Sequence, residues 1–207
     1  MNRTRVGILI SGRGSDALAL IHAAEAADYP AEIALVVSNR PDAPGLRKAV
    51  DAGVMALAVD HKPFRTDREA HERAIDAVLR EVGVQFVVLA GYMRILTPFF
   101  VGAWAGKMVN VHPSLLPAFP GLHSHRQALA AGVKMHGCSV HWVTDSVDAG
   151  PIIGQAAVPV LPGDDEETLA ARVLAAEHRL FPACVALALG GDQPRPDPSL
   201  IFSNPNL

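Results

Sequence analysis

The sequence predicts an α/β fold: a doubly wound, mostly parallel sheet that ends in an antiparallel strand pair and a long helix. Three observations predict it. Short apolar runs alternate with longer stretches of helical spacing through residues 6–111, the rhythm of βαβ units. Half of the residues are hydrophobic and 19% are charged, less charge than an average soluble chain carries, so a sizeable core can be buried. The run Phe86-Val87-Val88-Leu89-Ala90 is continuously apolar with β-branched valines at its centre, as suits a strand covered on both faces.

The elements follow in order. Residues 6–10 read as the first strand and residues 16–27 as the first helix. Residues 33–37 are the second strand, followed by a helix over 45–52. A weaker third strand covers 55–59. Thr66-Asp67-Arg68-Glu69 matches a capping box, opening a helix to about Val82. Residues 86–90 and 108–111 are strands four and five. Pro113, Pro117 and Pro120 make 112–121 a loop, and 121–131 leads into a short helix. Residues 138–143 and 152–160 read as an antiparallel pair joined by a polar loop. A long helix covers 164–189, acidic at its start as the helix dipole favours. Residues 1–189 form one domain on this reading, and 190–207 a proline-rich tail lying on its surface.

Composition narrows the function. The formal net charge is −3, which disfavours nucleic acid or anionic membrane as the main partner. No segment reaches the roughly 18 consecutive apolar residues of a membrane span. Arg3 and Arg5 ahead of residues 6–10 mimic a signal peptide, but the apolar run is too short and a glycine-rich loop follows at once. Two cysteines, Cys138 and Cys184, with no CxxC pair, suit a reducing, cytoplasmic setting.

Gly12-x-Gly14-x-x-Ala17 lies between the first strand and the first helix. Glycines there let backbone N–H groups approach an anion, and the helix N-terminus favours negative charge. A dinucleotide site would also need an acid after the second strand. Ser38-Asn39-Arg40 stands there instead, so a small phosphorylated substrate is the preferred ligand. A Walker lysine is absent.

Asn110-Val111-His112-Pro113 is the most informative stretch. Residues two apart on a strand share a face, so Asn110 and His112 project together at the carboxyl end of the fifth strand. An amide N–H and an imidazolium are both donors and can stabilise an oxyanion. No G-x-S-x-G elbow occurs, which points to direct transfer with the substrate's own amine as nucleophile. Asp148, in the polar loop 144–150, completes the set if it meets His112, since a nearby carboxylate favours the imidazolium.

Asn110-Val111-His112-Pro113-Ser114-Leu115-Leu116-Pro117 resembles the signature of the 10-formyltetrahydrofolate-dependent formyltransferases, and Gly91-Tyr92-Met93-Arg94-Ile95-Leu96 and His136-Gly137-Cys138-Ser139-Val140-His141 resemble motifs of the phosphoribosylglycinamide formyltransferases among them. Pro120-Gly121-Leu122-His123-Ser124-His125-Arg126-Gln127-Ala128 and Ser11-Gly12-Arg13-Gly14-Ser15 are similar to those of the phosphoribosylglycinamide formyltransferases among them, as is Asp148-Ala149-Gly150-Pro151. The resemblance runs over residues 5–189 in consistent order and implies a Rossmann-like formyltransferase fold. It implies formyl transfer from 10-formyltetrahydrofolate to the amine of glycinamide ribonucleotide, in purine biosynthesis, with no metal and no ATP.

On the same resemblance, Asn110 and His112 match the oxyanion-stabilising pair and Asp148 the essential aspartate. Gly14, Ser15 and Asp16 fall at the ribonucleotide phosphate, and Glu177 matches a substrate-binding glutamate. Met93, Arg94, Ile95, Leu96 and the segment from Thr144 to Asp148 match the walls of the folate pocket, which Asn110 also borders. Arg68 matches an arginine associated with folate, though inside a capping box it also suits a solvated helix charge. Met93, Ile95 and Leu96 would read as core on apolarity alone. His123, His125, His136 and His141 lack metal-ligand spacing and read as hydrogen-bonded structural histidines. Asp16 stands where the family commonly has Asn; it fits near a phosphate only if it turns away to cap the helix. Leu174 stands where some members carry a polar residue.

Two other readings compete. A formyltetrahydrofolate hydrolase would pass the formyl group to water, and a non-catalytic module would only bind nucleotide. The hydrolases carry an extra N-terminal regulatory domain, and methionyl-tRNA formyltransferases a C-terminal RNA-binding domain; neither is expected here. The expected partners are small molecules, and a homodimer is compatible with the sequence.

Overall fold

The computed structural model describes residues 3–190. Among them, seven strands form one sheet in the order β3-β2-β1-β4-β5-β6-β7. Strands β1 (Thr4–Ile10), β2 (Ala31–Ser38), β3 (Ala56–Ala58), β4 (Phe86–Leu89) and β5 (Met108–His112) run parallel. Strands β6 (Met135–Trp142) and β7 (Ile152–Pro159) complete it, with β5–β6 and β6–β7 antiparallel. The predicted α/β class and the antiparallel pair both match this sheet.

The alternation along β1 explains the two cores. Val6, Ile8 and Ile10 join a cluster with Ala17, Leu20 and Ile21 of α1 (Ser15–Ala23) and with Leu169, Val173 and Phe181 of α6 (Glu166–Gly190). Leu9 points to the opposite face, into a cluster with Ile75 and Leu79 of α3 (Arg68–Glu81) and Phe100 of α4 (Pro98–Ala103). Helices α2 (Pro44–Asp51) and α5 (Ser124–Ala131) add Ala49 and Ala128 to the first cluster. Ile8 is wholly buried, and truncating such a side chain to alanine typically costs about 2–5 kcal/mol.

Several boundaries differ from the sequence reading, each for a local reason. Asp67, not Thr66, caps α3: its carboxylate accepts the Ala70 N–H at 2.9 Å. Glu69 then pairs with Arg73 one turn on instead of closing a capping box. α1 ends at Ala23, short of residue 27. β5 extends to His112, one residue beyond the strand that the sequence pattern predicts. Helix α4 and the 3-10 turn Lys62–Phe64 were not anticipated. α6 is long and apolar enough by length and composition to cross a membrane. It packs against α1, β6 and β7, buries Glu177, and holds Arg172 in an ion pair with Asp164 at 2.6 Å, as the core helix of a globular domain does. All of the proline-rich tail except Gly190 lies outside the described residues.

Strand order reverses between β1 and β4: the chain leaves β1 toward β2 and β3, then returns to β4 and β5 on the other side. In open α/β sheets the ligand crevice lies outside the carboxyl ends of the strands at such a switch point. The loops after β1, β4 and β5 meet there.

Candidate active site

The register places the first group. Leu9 of β1 pairs with Leu89 of β4, and Leu89 with Asn110 of β5. Asn110 is therefore two strands, about 10 Å, from β1. His112 lies two residues further toward the carboxyl end, on the same face as Asn110. Antiparallel pairing sets His141 of β6 directly opposite Asn110, and the Asn110 Nδ2 is 3.1 Å from His141 Nε2. His141 Nδ1 is 2.9 Å from the Trp142 carbonyl, so that nitrogen carries the proton when the ring is neutral. Nε2 then accepts one Asn110 N–H, leaving the second amide hydrogen to face a ligand.

Asp148 reaches both histidines. Its Oδ2 is 3.4 Å from His112 Nδ1, and its Oδ1 is 3.6 Å from His141 Nε2. The Gly121 N–H donates to Oδ2 at 2.8 Å. His112 Nε2 is 3.1 Å from the Phe119 carbonyl. Both ring nitrogens of His112 thus face oxygen acceptors, which the doubly protonated ring satisfies with two N–H donors. Burial by itself would raise Asp148; the His141 ring beside it, the Gly121 amide and the nearby His112 outweigh it and hold the carboxyl below its ordinary range. Asp148 adopts φ +52°, and Phe119 and His123 are also left-handed. Such backbone strain concentrates where a loop must aim a side chain. The loop is held at its base by the close crossing of Gly150 over Trp142, where a Cβ would lie 1.8 Å from the Trp142 oxygen.

The second group is built from backbone. Gly14 is left-handed (φ +65°) and precedes α1 as its N-cap, with no side-chain cap. A Cβ on Gly14 would lie 2.7 Å from the Gly45 Cα, so the starts of α1 and α2 touch backbone to backbone. Ser15 opens α1. Asp16 does not cap the helix. Its carboxylate turns toward α6, with Oδ1 3.7 Å from His178 Nε2. Burial raises the Asp16 carboxyl, opposed by the His178 charge. Glu177 is buried beside them, pushed up to about 8 by burial first and the Asp16 carboxylate second. Gly14, Ser15, Asp16 and Glu177 are thus brought to one corner. Leu174 lies one turn before His178 on the same helix.

The third group lines the mouth. Met93 and Ile95 are not core: they are 67% and 60% exposed, side by side with partly exposed Arg94 and Leu96 after β4. Leu122 and Val147 are also exposed apolar side chains in the loops around Asp148. Arg68 is exposed at the start of α3, and its charge and that of Arg94 both act on the buried Glu72. Thr144 is exposed near the base of the Asp148 loop, its hydroxyl 3.3 Å from the Ser146 carbonyl.

The family described as formyl transferase matches residues 4–185. The chain belongs to the formyl transferase family. The phosphoribosylglycinamide formyltransferase of Escherichia coli K12 is 45% identical over 179 residues, 86% of this chain and 84% of that protein. The human trifunctional purine biosynthetic protein adenosine-3 is 48% identical over 189 residues, 91% of this chain but 19% of that protein. The chain spans between 14% and 19% of the length of the trifunctional relatives of fly, chicken, cow and human. The crystal structure of phosphoribosylglycinamide formyltransferase from Brucella melitensis superimposes with a TM-score of 0.87 at 52% identity, covering 92% of this chain and 98% of that one.

Sequence reasoning missed parts of this candidate site. His141 was read as structural, yet it touches both Asn110 and Asp148. Ser11, Asn39 and Glu72 were not singled out, yet each is buried and hydrogen-bonded among the loops at the carboxyl ends of the strands. His125 and His136 do pair with each other, Nδ1 to Nε2 at 3.2 Å. Burial first, then the charges of His125 and His112, bring His136 down to about 4.

Proposed function

We propose that this chain transfers the formyl group of 10-formyltetrahydrofolate to the amine of glycinamide ribonucleotide. The observation that carries the reading is the grouping of Asn110, His112 and Asp148 at the carboxyl end of β5, one strand from the switch point, with His112 and Asp148 at 3.4 Å. The phosphate sits on the N–H groups of Gly14 and Ser15 at the start of α1, and Glu177 meets the sugar. The folate rests against Met93, Arg94, Ile95 and Leu96, with Arg68 at the rim and residues 144–148 opposite.

The amine nitrogen attacks the formyl carbon. A C–N bond forms, and the carbonyl electron pair moves to oxygen, giving a tetrahedral oxyanion. The free Asn110 N–H and a protonated His112 donate to that oxygen. His112 does so by exchanging its Phe119 carbonyl contact for the stronger acceptor. Asp148 holds the imidazolium and accepts the amine proton, directly or through one water. Collapse reforms the C=O bond and breaks the bond to folate N10, which takes up the proton that Asp148 received from the amine and leaves as tetrahydrofolate. No metal is called on, and the setting is the cytoplasm with small molecules as partners.

The test is to supply 10-formyltetrahydrofolate with and without glycinamide ribonucleotide and follow folate release. Release that depends on the ribonucleotide and yields its formyl derivative supports the reading. Equal release without it means transfer to water. Binding of the ribonucleotide with no release in either case means a non-catalytic module.

A further inference from the structure

Three loops at the carboxyl ends of the sheet are tied through one hydroxyl. Ser11 follows β1, at the base of the anion loop, and is buried. Its Oγ–H donates to Asn39 Oδ1 at 2.6 Å, at the end of β2. The same oxygen accepts the Met93 N–H at 2.8 Å, from the loop after β4. The Ser11 N–H donates to the Gly91 carbonyl at 3.0 Å, so backbone and side chain both grip residues 91–93. Asn39, also buried, is held in turn by His61, whose backbone N–H and ring Nδ1 both donate to the Asn39 carbonyl, at 3.2 and 2.8 Å. An acid would suit a ribose at the end of β2; the amide there instead serves Ser11.

The far end of the same loop is clamped separately. Glu72 of α3 accepts the Thr97 N–H at 3.0 Å and also the Thr97 hydroxyl. Residues 93–96 are therefore suspended between two fixed points, with Met93 and Ile95 turned outward. One fixed point belongs to α3. The other belongs to the loop that cradles the anion. A hydroxyl donates to Asn39 and accepts from Met93 through the same atom.

We infer that Ser11 is a positioning residue that couples the two substrate sites: an anion held by the loop after β1 orders the loop after β4 through the Ser11 hydroxyl. This rests on the ribonucleotide and folate assignments above. Ordering by the first ligand lowers the conformational cost for the second, which is positive cooperativity. Thermodynamic linkage makes the effect equal in both directions.

The experiment uses a non-reacting pair, glycinamide ribonucleotide and tetrahydrofolate. Calorimetry gives the Kd of each alone and with the other saturating. In the wild type each ligand is expected to tighten the other by the same factor, about fivefold or more. In Ser11→Ala that factor is expected to fall to within about twofold of one, with tetrahydrofolate alone weakened about tenfold, as loss of a buried hydrogen bond implies. Ser11→Thr keeps the hydroxyl and is expected to restore the factor. Asn39→Ala removes only the acceptor and is the second variant, with a partial loss of coupling, for use if Ser11→Ala does not fold. Independent binding in the wild type, or full coupling in a folded Ser11→Ala, overturns the inference while leaving the proposed reaction intact. Failure of the wild type to bind either ligand overturns the reaction as well.

Discussion

The two halves of the crevice solve opposite problems with opposite materials. At the start of α1 the proposed anion site is made of backbone: a left-handed glycine, a helix N-terminus and two helices touching at Gly14 and Gly45. At the end of β5 the candidate site is made of side chains linked in a chain: Asn110 to His141 at 3.1 Å, His141 to Asp148 at 3.6 Å, and Asp148 to His112 at 3.4 Å. A phosphate has a fixed charge and needs fixed dipoles. A reaction that makes and loses a charge needs groups that can hold or pass a proton. The carboxyls diverge accordingly. Asp148 is held low by its contacts with the two histidines and Gly121, whereas Asp16 and Glu177 are held high by burial.

The sharpest way to test this contrast is to remove charge from the side-chain half. Asp148→Asn keeps the shape, and Asn tolerates the left-handed backbone that Asp148 occupies. Turnover is expected to fall roughly 10³-fold, within the range that a positioned proton acceptor supplies. Both ligands should still bind with near-normal Kd by calorimetry. A parallel loss of binding would place Asp148 in ligand recognition instead. Asn110→Ala follows, with turnover down roughly 10²-fold and KM changed much less, because the donor acts on charge that develops in the transition state. Steady-state kinetics on the folded variant separates the two parameters.

In the backbone half, the expected loss is in binding. Gly14→Ala must strain a left-handed residue and push its Cβ against Gly45. Gly45→Ala meets the Gly12 oxygen and the Gly14 Cα, both at 3.0 Å. Ribonucleotide affinity should drop about tenfold or more in Gly14→Ala and less in Gly45→Ala. Tetrahydrofolate measured alone should change within about twofold in each. Equal losses of both ligands would report a folding defect and erase the contrast.

Stability against pH separates the halves again, by a smaller amount. A carboxyl held low, like Asp148, contributes stability that is present above its unfolded value near pH 4 and is lost as pH falls through its folded value. A carboxyl held high, like Glu177, is the reverse: its contribution is whole below the unfolded value and is lost as pH rises toward about 8. Thermal melts of Asp148→Asn should therefore be flatter than wild type on the acid side, and those of Glu177→Gln flatter between pH 5 and about 8. Shifts of a few degrees are expected for a chain of this size.

The same contrast explains what could be read from the sequence. Whatever depends on near neighbours was legible: the β1 alternation, the glycines between a strand and a helix, and Asn110 with His112 two apart on one strand. Pairings across the sheet were not. His141 meets Asn110 only through the β5–β6 register, and Ser11 meets Asn39 and Met93 from three separate loops. Helix α4 is six residues long, too short for periodicity, though Thr97-Pro98 is a usable start signal. Met93 and Ile95 are as apolar as core residues. Their exposure follows from the clamps at Ser11 and Thr97, which no local pattern encodes.

The smallest expected effect lies at the rim, where neither material applies. Arg68 is exposed and is the first residue of α3, one turn before Glu72. Its cap comes from Asp67, so the helix does not depend on it. A solvated arginine at a helix N-terminus gains nothing from the dipole, which favours acids there. An arginine there is placed to meet an anionic ligand, and in the proposed reaction the carboxylate-bearing tail of the folate is that ligand. Exposed ion pairs are worth about 0.2–1 kcal/mol, so Arg68→Ala should raise the folate KM about threefold with kcat unchanged. Screening offers a second check: the wild-type KM should rise with salt between 50 and 500 mM, and the variant's should rise less, because one screened attraction has been removed. A variant with unchanged KM and the wild-type salt slope would make Arg68 a surface charge of the helix and would confine the folate contacts to the loop after β4.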